Sequence, residues 1–407
     1  MGEALVAHKP VPELLEDILD VIAANLPMDQ CVIMLRNEAG GALETRAARI
    51  QRAWREKGEI RVSRSVVTMA FERHLSVLLD VAKTDFDPSA SIVEQDIRSA
   101  LCVPIGDGED VIGVLYADRH QAADAFEDAD LRLLTLLANT AGIKIQQARQ
   151  VAALIEAQKA KGELRIAADI QRDFLPRSLP SCEGYGMAGR AIPCLEVGGD
   201  YFDCFCFAGR RLGLTVADVS GKGVGAALLM ASLRAWLRAE LVHGTDLAAL
   251  AAKLNDFVHE SSDARTFISF LYAELDRETG ALRYVNAGHN PGLILDRDGA
   301  VRELGATGLC LGMLAGRAYE VGTAELRPGE VLILYTDGIT ESRDAEEREF
   351  GVEGLVAAVA GEREHEAPAI LEGIYRRLAE FAGRVEPFDD RTLVVVKRKA
   401  FVSAPSV

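Results

Sequence analysis

The sequence contains no C-x-x-C pair, although seven cysteines occur among its 407 residues. The closest two, Cys204 and Cys206, alternate along a segment that is typical of a strand. Zinc sites and disulfide frameworks need cysteines in pairs or at regular spacings. We therefore interpret the thiols as packing residues inside the protein rather than as metal ligands or disulfide partners.

Positive charge is also scarce. The 45 lysines and arginines are outnumbered by 62 aspartates and glutamates, which gives a formal net charge of −17. No run of lysine or arginine interrupts this pattern. Because nucleic acids and anionic membranes are bound through basic surfaces, the charge argues against either as the main partner of this chain.

Long apolar runs are missing as well. No segment approaches the roughly 18 uninterrupted apolar residues of a membrane-spanning helix. The start, MGEALVAHKPVPELLEDILD, has neither the basic region nor the apolar stretch of a signal peptide. We expect a soluble, cytoplasmic protein. A hydrophobic content of 49% supports packed cores, and the length predicts two or three domains.

The first region, residues 10–125, alternates helix and strand signals. The runs CVIMLRN and SVLLDVA are typical of buried strands. The run ALCVPIGDGEDVIGVLYADR has two β-rich segments around an acidic glycine turn, which is the pattern of a hairpin. The sequence therefore predicts an antiparallel sheet with helices.

The second region, residues 126–175, predicts a helical linker that is long or broken once, at Gly162. No proline occurs in it before Pro176. An apolar stripe with three-four spacing runs along it: Leu131, Leu134, Ala138, Ala141, Ile145, Ala148, Ala152 and Ile155. Two interpretations stay open. The stripe packs on the sheet of its own domain, or it pairs with a second copy in a parallel coiled coil.

The third region, residues 176–400, has short β-rich runs with glycine turns. Helical patterns interrupt them at 224–241, 246–260 and 366–382. The strands are numerous, short and mostly neighbours in sequence, which favours antiparallel sheets in an α+β domain.

The stretch ADVSGKGVGAALLM, residues 217–230, places an acid, a serine, a lysine and three glycines between an apolar run and a predicted helix. It is not a Walker A loop, because Val216 occupies the position of the first glycine. It is not a dinucleotide fingerprint either, because its glycines alternate and an aspartate ends the strand. Taken alone, it favours a structural turn in which Asp218 caps the next helix.

Three further acids change that interpretation. Asp200 follows a glycine pair in VGGDYFD, Asp337 ends an apolar run in LYTDGITE, and Asp389 with Asp390 precedes the last strand in FDDRTLVVV. Carboxylates gathered at one sheet edge repel one another unless cations compensate them. Oxygen ligands without histidine or cysteine suit Mg²⁺ or Mn²⁺. The sequence therefore predicts a site for two divalent cations.

Six motifs in order, IQRDFLP, EVGGDYFD, ADVSGKGVGAALLM, NAGHNPG, LYTDGITES and DDRTLVVV, resemble the SpoIIE-like branch of the metal-dependent type 2C serine/threonine protein phosphatases. The resemblance covers about residues 166–398. It implies an αββα sandwich of two sheets between helices, and a pair of Mn or Mg ions that activate a bridging water. It implies these metal ligands and catalytic residues: Asp200, Asp218, Asp337 and Asp389, with the backbone carbonyl of Val219 as a further ligand.

Some assignments stay open within this resemblance. Asp390 is an alternative to Asp389 as the last ligand. Ser220 stands where eukaryotic relatives often have a histidine that is a candidate general acid. His289 is a possible replacement, although a histidine in a glycine-rich turn is more often structural. Lys222 either attracts phosphate or is a solvated lysine at a helix start.

The amino-terminal region resembles a GAF domain through RSALCVPI, VIGVLYADR and AFEDADLRLLTLLANTAGIKIQQAR. It lacks the Asn-Lys-Phe-Asp-Glu signature of cyclic-nucleotide-binding members, so no ligand is specified. Together the two resemblances imply a signalling phosphatase with a GAF sensor, a helical transmitter and a catalytic domain.

By family analogy the substrate is a phosphoprotein, an anti-sigma-factor antagonist in a partner-switching pathway. The GAF domain would respond to a small molecule or a protein effector, and the chain would be a homodimer. The alternative from another class is a non-catalytic signalling module that binds a small ligand through the GAF domain and docks a partner protein.

Overall fold

The structure is a computed structural model, and its chain divides into two compact units, Met1–Ala160 and Lys161–Val407. Each unit is described by itself. The described residues are 10–37, 41–50, 60, 62–81, 97–106, 110–120, 125–207, 210–263 and 265–400. No helix in these ranges combines the length and the apolar character that crossing a bilayer requires.

The first unit contains one five-stranded antiparallel sheet with strand order β2-β1-β5-β4-β3. Its elements are α1 (Val11–Asn25), β1 (Gln30–Arg36), β2 (Leu43–Ile50), α2 (Arg64–Arg73), β3 (Val77–Asp80), β4 (Ser99–Gly106) and β5 (Val111–Arg119). The pairing of β4 with β5 confirms the predicted hairpin. The two runs predicted as buried strands form β1 and β3, although β3 is only partly buried.

The long helix α3 (Asp128–Phe174) is continuous through Gly162. Its residues Leu134, Ala138, Ala141 and Ile145 are buried in the core of the first unit, where they pack with sheet residues such as Leu101. The stripe is therefore covered by its own domain as far as Ala148, which agrees with the first of the two interpretations left open by the sequence. Beyond it, Ile155 is 59% exposed.

The second unit contains two five-stranded antiparallel sheets. The first has the order β13-β10-β9-β8-β7 and the second the order β12-β11-β14-β15-β6. The strands are β6 (Tyr185–Ile192), β7 (Tyr201–Cys206), β8 (Arg211–Val219), β9 (Ile268–Asp276), β10 (Ala281–Ala287), β11 (Gly292–Leu295), β12 (Val301–Leu304), β13 (Gly322–Glu325), β14 (Val331–Tyr335) and β15 (Arg391–Arg398).

Helices cover the outer faces of these sheets. They are α4 (Val224–Leu241), α5 (Leu247–Ser261), the four-residue α6 (Asp337–Thr340), α7 (Gly351–Glu362) and α8 (Ala367–Ala382). One core lies between the sheets, a second under α4 and α5, and a third under α7 and α8. This is the predicted αββα sandwich. The three predicted helical stretches correspond to α4, α5 and α8.

Local sequence explains how α4 and α5 begin and pack. Gly223, with a φ of 79°, turns the chain into α4, and residues such as Met230 and Leu237 repeat at helical spacing towards the sheet. Asp246 begins α5 by accepting a hydrogen bond from the Ala248 backbone N–H. Cys204 and Cys206 both lie on β7, as predicted, but Cys206 is exposed, so its thiol is not a packing residue.

Candidate metal centre

The four aspartates predicted as ligands lie at strand ends of both sheets in the second unit. Asp200 immediately precedes β7, and Asp218 is the second-last residue of β8. Asp337 is the first residue of α6, just after β14, and Asp389 lies two residues before β15. Since β7 pairs with β8 and β14 with β15, each sheet contributes two acids.

The four acids lie near enough to one another for their charges to interact. Burial raises the pKa of Asp218 to about 7, and the charges of Asp337, Asp389 and Asp390 add to this shift. The pKa of Asp200 is raised well above its usual range by burial and by Asp218. Burial and the charge of Asp389 also raise the pKa of Asp337. The structure thus concentrates negative charge where the sequence predicted cation ligands.

Asp200 is held in place by the second sheet. Thr336, which is fully buried, donates a hydrogen bond of 2.7 Å from Oγ1 to Asp200 Oδ2. The Thr336 oxygen in turn accepts one of 3.0 Å from the Thr392 backbone N–H. The sequence argument missed Thr336, although it directly precedes Asp337. Its role is to fix the orientation of a carboxylate on the opposite sheet.

Asp390 and Asp389 have different surroundings. Asp390 is 7% exposed, and its two carboxylate oxygens accept hydrogen bonds from the backbone N–H groups of Cys194 (2.8 Å) and Gly199 (2.7 Å). A Cβ at Gly198 would lie 2.2 Å from Asp390 Oδ2, which explains why glycine precedes Gly199. The Asp389 side chain is 31% exposed, and its Oδ2 lies 3.1 Å from Lys222 Nζ. Asp390 is therefore occupied in holding the loop before Asp200.

One tight group of potential ligand atoms lies beside the predicted ligands. Within the described ranges, the only three potential ligand atoms that all lie within 4.8 Å of one another belong to Cys194, Asp389 and Asp390. Of the four predicted carboxylate ligands, only Asp389 belongs to this group. Burial and Asp390 raise the pKa of Cys194 to about 11, so its thiol stays protonated at neutral pH and is a poor ligand.

The histidine considered as a general acid is in a structural environment. His289 is buried, with Nε2 3.0 Å from the Tyr335 carbonyl and Nδ1 2.6 Å from Ser269 Oγ. Because a carbonyl only accepts, Nε2 carries the proton and Nδ1 accepts from the serine. Burial lowers the pKa of His289 to about 4. The ring is therefore neutral and already committed on both nitrogens.

A contact that the sequence argument missed joins α3 to the loop before Asp200. Gln171 Nε2 donates to the Gly198 carbonyl (2.7 Å), and the Gly198 backbone N–H donates to Gln171 Oε1 (3.0 Å). A cavity of about 90 Å³ adjoins this contact, and both Asp200 and Asp390 line it. The only sequence signal for it is the position of Gln171 in the motif IQRDFLP.

Family comparisons agree with this architecture. Residues 208–399 match the family model described as Stage II sporulation protein E (SpoIIE), and residues 10–145 match the GAF domain. The chain therefore contains a GAF domain followed by a region that matches the SpoIIE family. Both resemblances drawn from the motifs are thereby confirmed.

Relatives and a solved structure extend the comparison. Protein IcfG of Synechocystis sp. is 27% identical over 79% of this chain, which spans 51% of IcfG. Phosphoserine phosphatase RsbU of Bacillus subtilis is 29% identical over 60% of this chain and 72% of RsbU. The SiaA-PP2C domain of Pseudomonas aeruginosa is 25% identical with a TM-score of 0.52, over 59% of this chain and 98% of that domain. The second unit therefore has the PP2C fold.

Proposed function

We propose that this chain is a metal-dependent serine/threonine protein phosphatase. The observation that carries the proposal is the group of buried and partly buried aspartates at the strand ends of both sheets, where burial and the neighbouring acids raise the pKa of Asp218 to about 7. Such a group is costly without cations and has no structural use of its own. The relatives RsbU and RsbP are named phosphoserine phosphatases, which supports the same activity. The proposed domains are a GAF-like sensor domain at 10–125, a helical linker at 126–175 and a phosphatase domain at 176–400.

Asp200, Asp218, Asp337 and Asp389 are the proposed carboxylate ligands of two Mn²⁺ or Mg²⁺ ions, and the Val219 carbonyl is a further ligand. A Cβ at Gly199 would lie 2.9 Å from the Val219 carbonyl oxygen, so this carbonyl faces the loop before Asp200. Asp389 is favoured over Asp390, whose oxygens bind backbone N–H groups.

Bound divalent ions would supply an activated water and charge stabilisation for phosphoryl transfer to that water. The protein's own residues position these ions. Thr336 orients Asp200, and Asp390 holds the loop from Cys194 to Asp200 through its backbone N–H groups. A cysteine nucleophile is not needed in this scheme, and burial raises the pKa of Cys204, which opposes formation of a thiolate.

The test is hydrolysis of a panel of phosphoserine and phosphothreonine proteins with and without Mn²⁺. Wild-type protein should release phosphate only with the metal, and Asp218→Asn should lower turnover by at least about 100-fold because a ligand charge is lost. Asp298→Asn, an exposed acid in the turn between β11 and β12, is the matched control and should keep wild-type turnover. Equal turnover of a folded Asp218→Asn protein would end the proposal.

The proposed substrate is an anti-sigma-factor antagonist that carries a phosphoserine or phosphothreonine. The antagonist rests on the family resemblance alone, and the names of RsbU and RsbP support only the phosphoserine. Including such antagonists in the panel beside unrelated phosphoproteins decides it. A preference of at least about tenfold in kcat/KM, worth about 1.4 kcal/mol, would support the assignment. Equal rates on unrelated phosphoproteins would contradict it.

The proposed regulation acts through a homodimer and the GAF domain. Leu136, Ile143 and Leu154 are 64%, 52% and 63% exposed, and their spacing places them on one side of α3. This is a different face from the stripe that the sequence analysis singled out. A second copy of the chain is the proposed occupant, since α3 continues past the sheet of the first unit into the second. A small molecule or protein at the GAF domain would bias this assembly.

A further inference from the structure

Phe388 is an exposed aromatic residue directly before Asp389. It keeps 43% of its surface accessible. Two cations lie against its ring: Lys222 Nζ is 5.2 Å and Arg343 Cζ is 5.6 Å from the ring centroid. Both distances fall in the range of cation–π interactions. One aromatic ring therefore holds two positive charges beside the carboxylates.

The two cations come from different parts of the chain. Lys222 belongs to the turn between β8 and α4, and Arg343 follows α6 by three residues. Lys222 also donates to the Phe388 carbonyl and lies 3.1 Å from Asp389 Oδ2. Arg343 Nη2 lies 3.1 Å from Glu349 Oε1. Three segments thus meet at the rim of the site, and only the tertiary structure brings them together.

Both charged groups are accessible. The side chains of Lys222 and Arg343 are 42% and 46% exposed. Lys222 is close enough to Asp218 and Asp337 to interact with their charges, and Arg343 is similarly close to Glu341. Lys222 therefore reaches the carboxylates from an accessible position, and Arg343 is joined to it through the Phe388 ring.

A phosphorylated substrate would be repelled by the negative charge of this chain unless cations such as Lys222 and Arg343 lie near the site. The chain has a formal net charge of −17, and a phosphate monoester carries nearly two negative charges at pH 7. Local cations can reverse the repulsion at the mouth of the site. The guanidinium fork of an arginine matches phosphate oxygens in two parallel hydrogen bonds, and a lysine adds a compact charge.

We propose that Lys222 and Arg343 bind the phosphate of a phosphoserine or phosphothreonine on the protein substrate, with Phe388 holding the two cations at a fixed spacing. The proposal rests on the phosphatase function proposed above and identifies the residues that recognise its substrate. The contact of Lys222 with Asp389 does not prevent this role. Partly exposed ion pairs contribute little, so Lys222 can exchange the carboxylate for a phosphate oxygen.

The experiment compares four variants of the full chain with wild type: Lys222→Gln, Arg343→Gln, Phe388→Leu and, as control, Lys253→Gln. Lys253 is 56% exposed and pairs with Glu240 on α4. The control variant Lys253→Gln therefore removes one positive charge at a position away from the site. For each protein we would measure KM and kcat on a phosphoserine protein with Mn²⁺, the Ki of inorganic phosphate, and the Mn²⁺ affinity by calorimetry.

Lys222→Gln and Arg343→Gln should each raise KM and the phosphate Ki by about tenfold, the loss expected for one charge-assisted hydrogen bond. The kcat of Arg343→Gln should stay within about threefold of wild type, because its role is binding. Phe388→Leu should raise both constants by a smaller factor, and Lys253→Gln should change neither. The Mn²⁺ affinity of Arg343→Gln should equal that of wild type.

Unchanged KM and Ki in Arg343→Gln would overturn the proposal, and so would a weaker Mn²⁺ affinity that accounts for the loss. If wild-type protein hydrolyses nothing, the proposed function fails, but calorimetric titration of inorganic phosphate into the Mn²⁺-loaded chain still decides this inference. Phosphate binding that is lost in Arg343→Gln supports it. Equal binding in both proteins, or none in wild type, contradicts it.

Discussion

The carboxylates gathered in the second unit oppose one another's ionisation. Asp200 and Asp218 both have raised pKa values, since burial and the other acids oppose ionisation. Folded proteins usually avoid buried carboxylates without a compensating positive charge, unless a bound cation supplies that charge. Here the Thr336 hydroxyl and the backbone N–H groups on Asp390 orient carboxylates but add no positive charge.

This arrangement predicts how the stability of the metal-free protein depends on pH. The pKa of Asp218 rises from about 3.9 in the unfolded chain to about 7 in the fold, chiefly because of burial. The folded state therefore holds the extra proton between about pH 4 and 7, and this group lowers stability as pH rises through that window. Asp218→Asn should remove part of this loss.

Calorimetric unfolding in a chelator would test the point. The melting temperature of Asp218→Asn should exceed that of wild type at pH 7.5 and equal it near pH 4, where the aspartate is neutral. Added Mn²⁺ should raise the melting temperature of wild type more than that of the variant. An identical pH dependence in the two proteins would show that Asp218 is not under this strain.

His289 leads to a separate prediction. Its pKa is lowered to about 4 by burial, so its contribution to stability is present above the unfolded value of about 6.5 and is lost as pH falls towards 4. His289→Gln should cost about 1–3 kcal/mol of unfolding free energy, because buried hydrogen bonds are lost. The shape of the pH–rate profile should not change. Urea unfolding measures the unfolding free energy, and turnover across a pH series measures the profile. If His289→Gln lost the decline in rate at high pH while its stability stayed unchanged, His289 would instead be a general acid.

The helix α3 has two functions along its length. Its first part completes the core of the GAF-containing unit through Leu134, Ala138 and Ile145. Its last turns belong to the second unit, where Gln171 binds Gly198 and the Phe174 carbonyl accepts a hydrogen bond of 2.6 Å from Arg234 Nε on α4. The apolar spacing in the sequence predicts only the packing of the first part. The contact of Gln171 involves a single polar residue, so it produces no repeating pattern in the sequence.

Gln171→Leu should therefore weaken metal binding. The variant removes both hydrogen bonds to Gly198, which lies two residues before Asp200, and the loop loses its external support. Groups that orient metal ligands typically change metal affinity by about 10–100-fold when removed. Calorimetry should show Mn²⁺ affinity lowered by at least about tenfold, with kcat at saturating Mn²⁺ largely kept. Gln147→Leu, an exposed glutamine on the same helix, is the control, and equal Mn²⁺ affinity in the two variants would contradict the role of Gln171.

At the level of the whole chain, the open question is what covers the exposed apolar residues of α3. Leu136, Ile143 and Leu154 would bury apolar surface worth about 25 cal/mol per Å² if a second copy paired with them. Dimerisation should therefore be tested at these exposed positions. Changing Ala141 or Ile145 would damage the core of the first unit, because both are buried there.

Leu136→Asp with Ile143→Asp should reduce the dimer fraction by at least about tenfold without unfolding the first unit, since both positions are exposed. Ala153→Asp, about 100° around the helix from Leu154, adds an aspartate on another side of α3; it is the control and should leave the dimer intact. Sedimentation velocity measures the association, and circular dichroism checks the fold. A monomeric wild-type chain at working concentration would end the homodimer proposal.

The sequence by itself determined the fold class, the order of the GAF and SpoIIE regions, and the position of each predicted acid at a strand end. These follow from local signals: alternation predicts strands, glycines predict turns, and an aspartate at a strand end stays there in the fold. Which face of α3 packs on the sheet of the first unit, why His289 is neutral, and which of Asp389 and Asp390 is already bound to backbone were decided by the tertiary structure alone. Each depends on residues far apart in the chain, as when Asp390 meets Gly199 across 191 residues, and no local pattern records such a meeting.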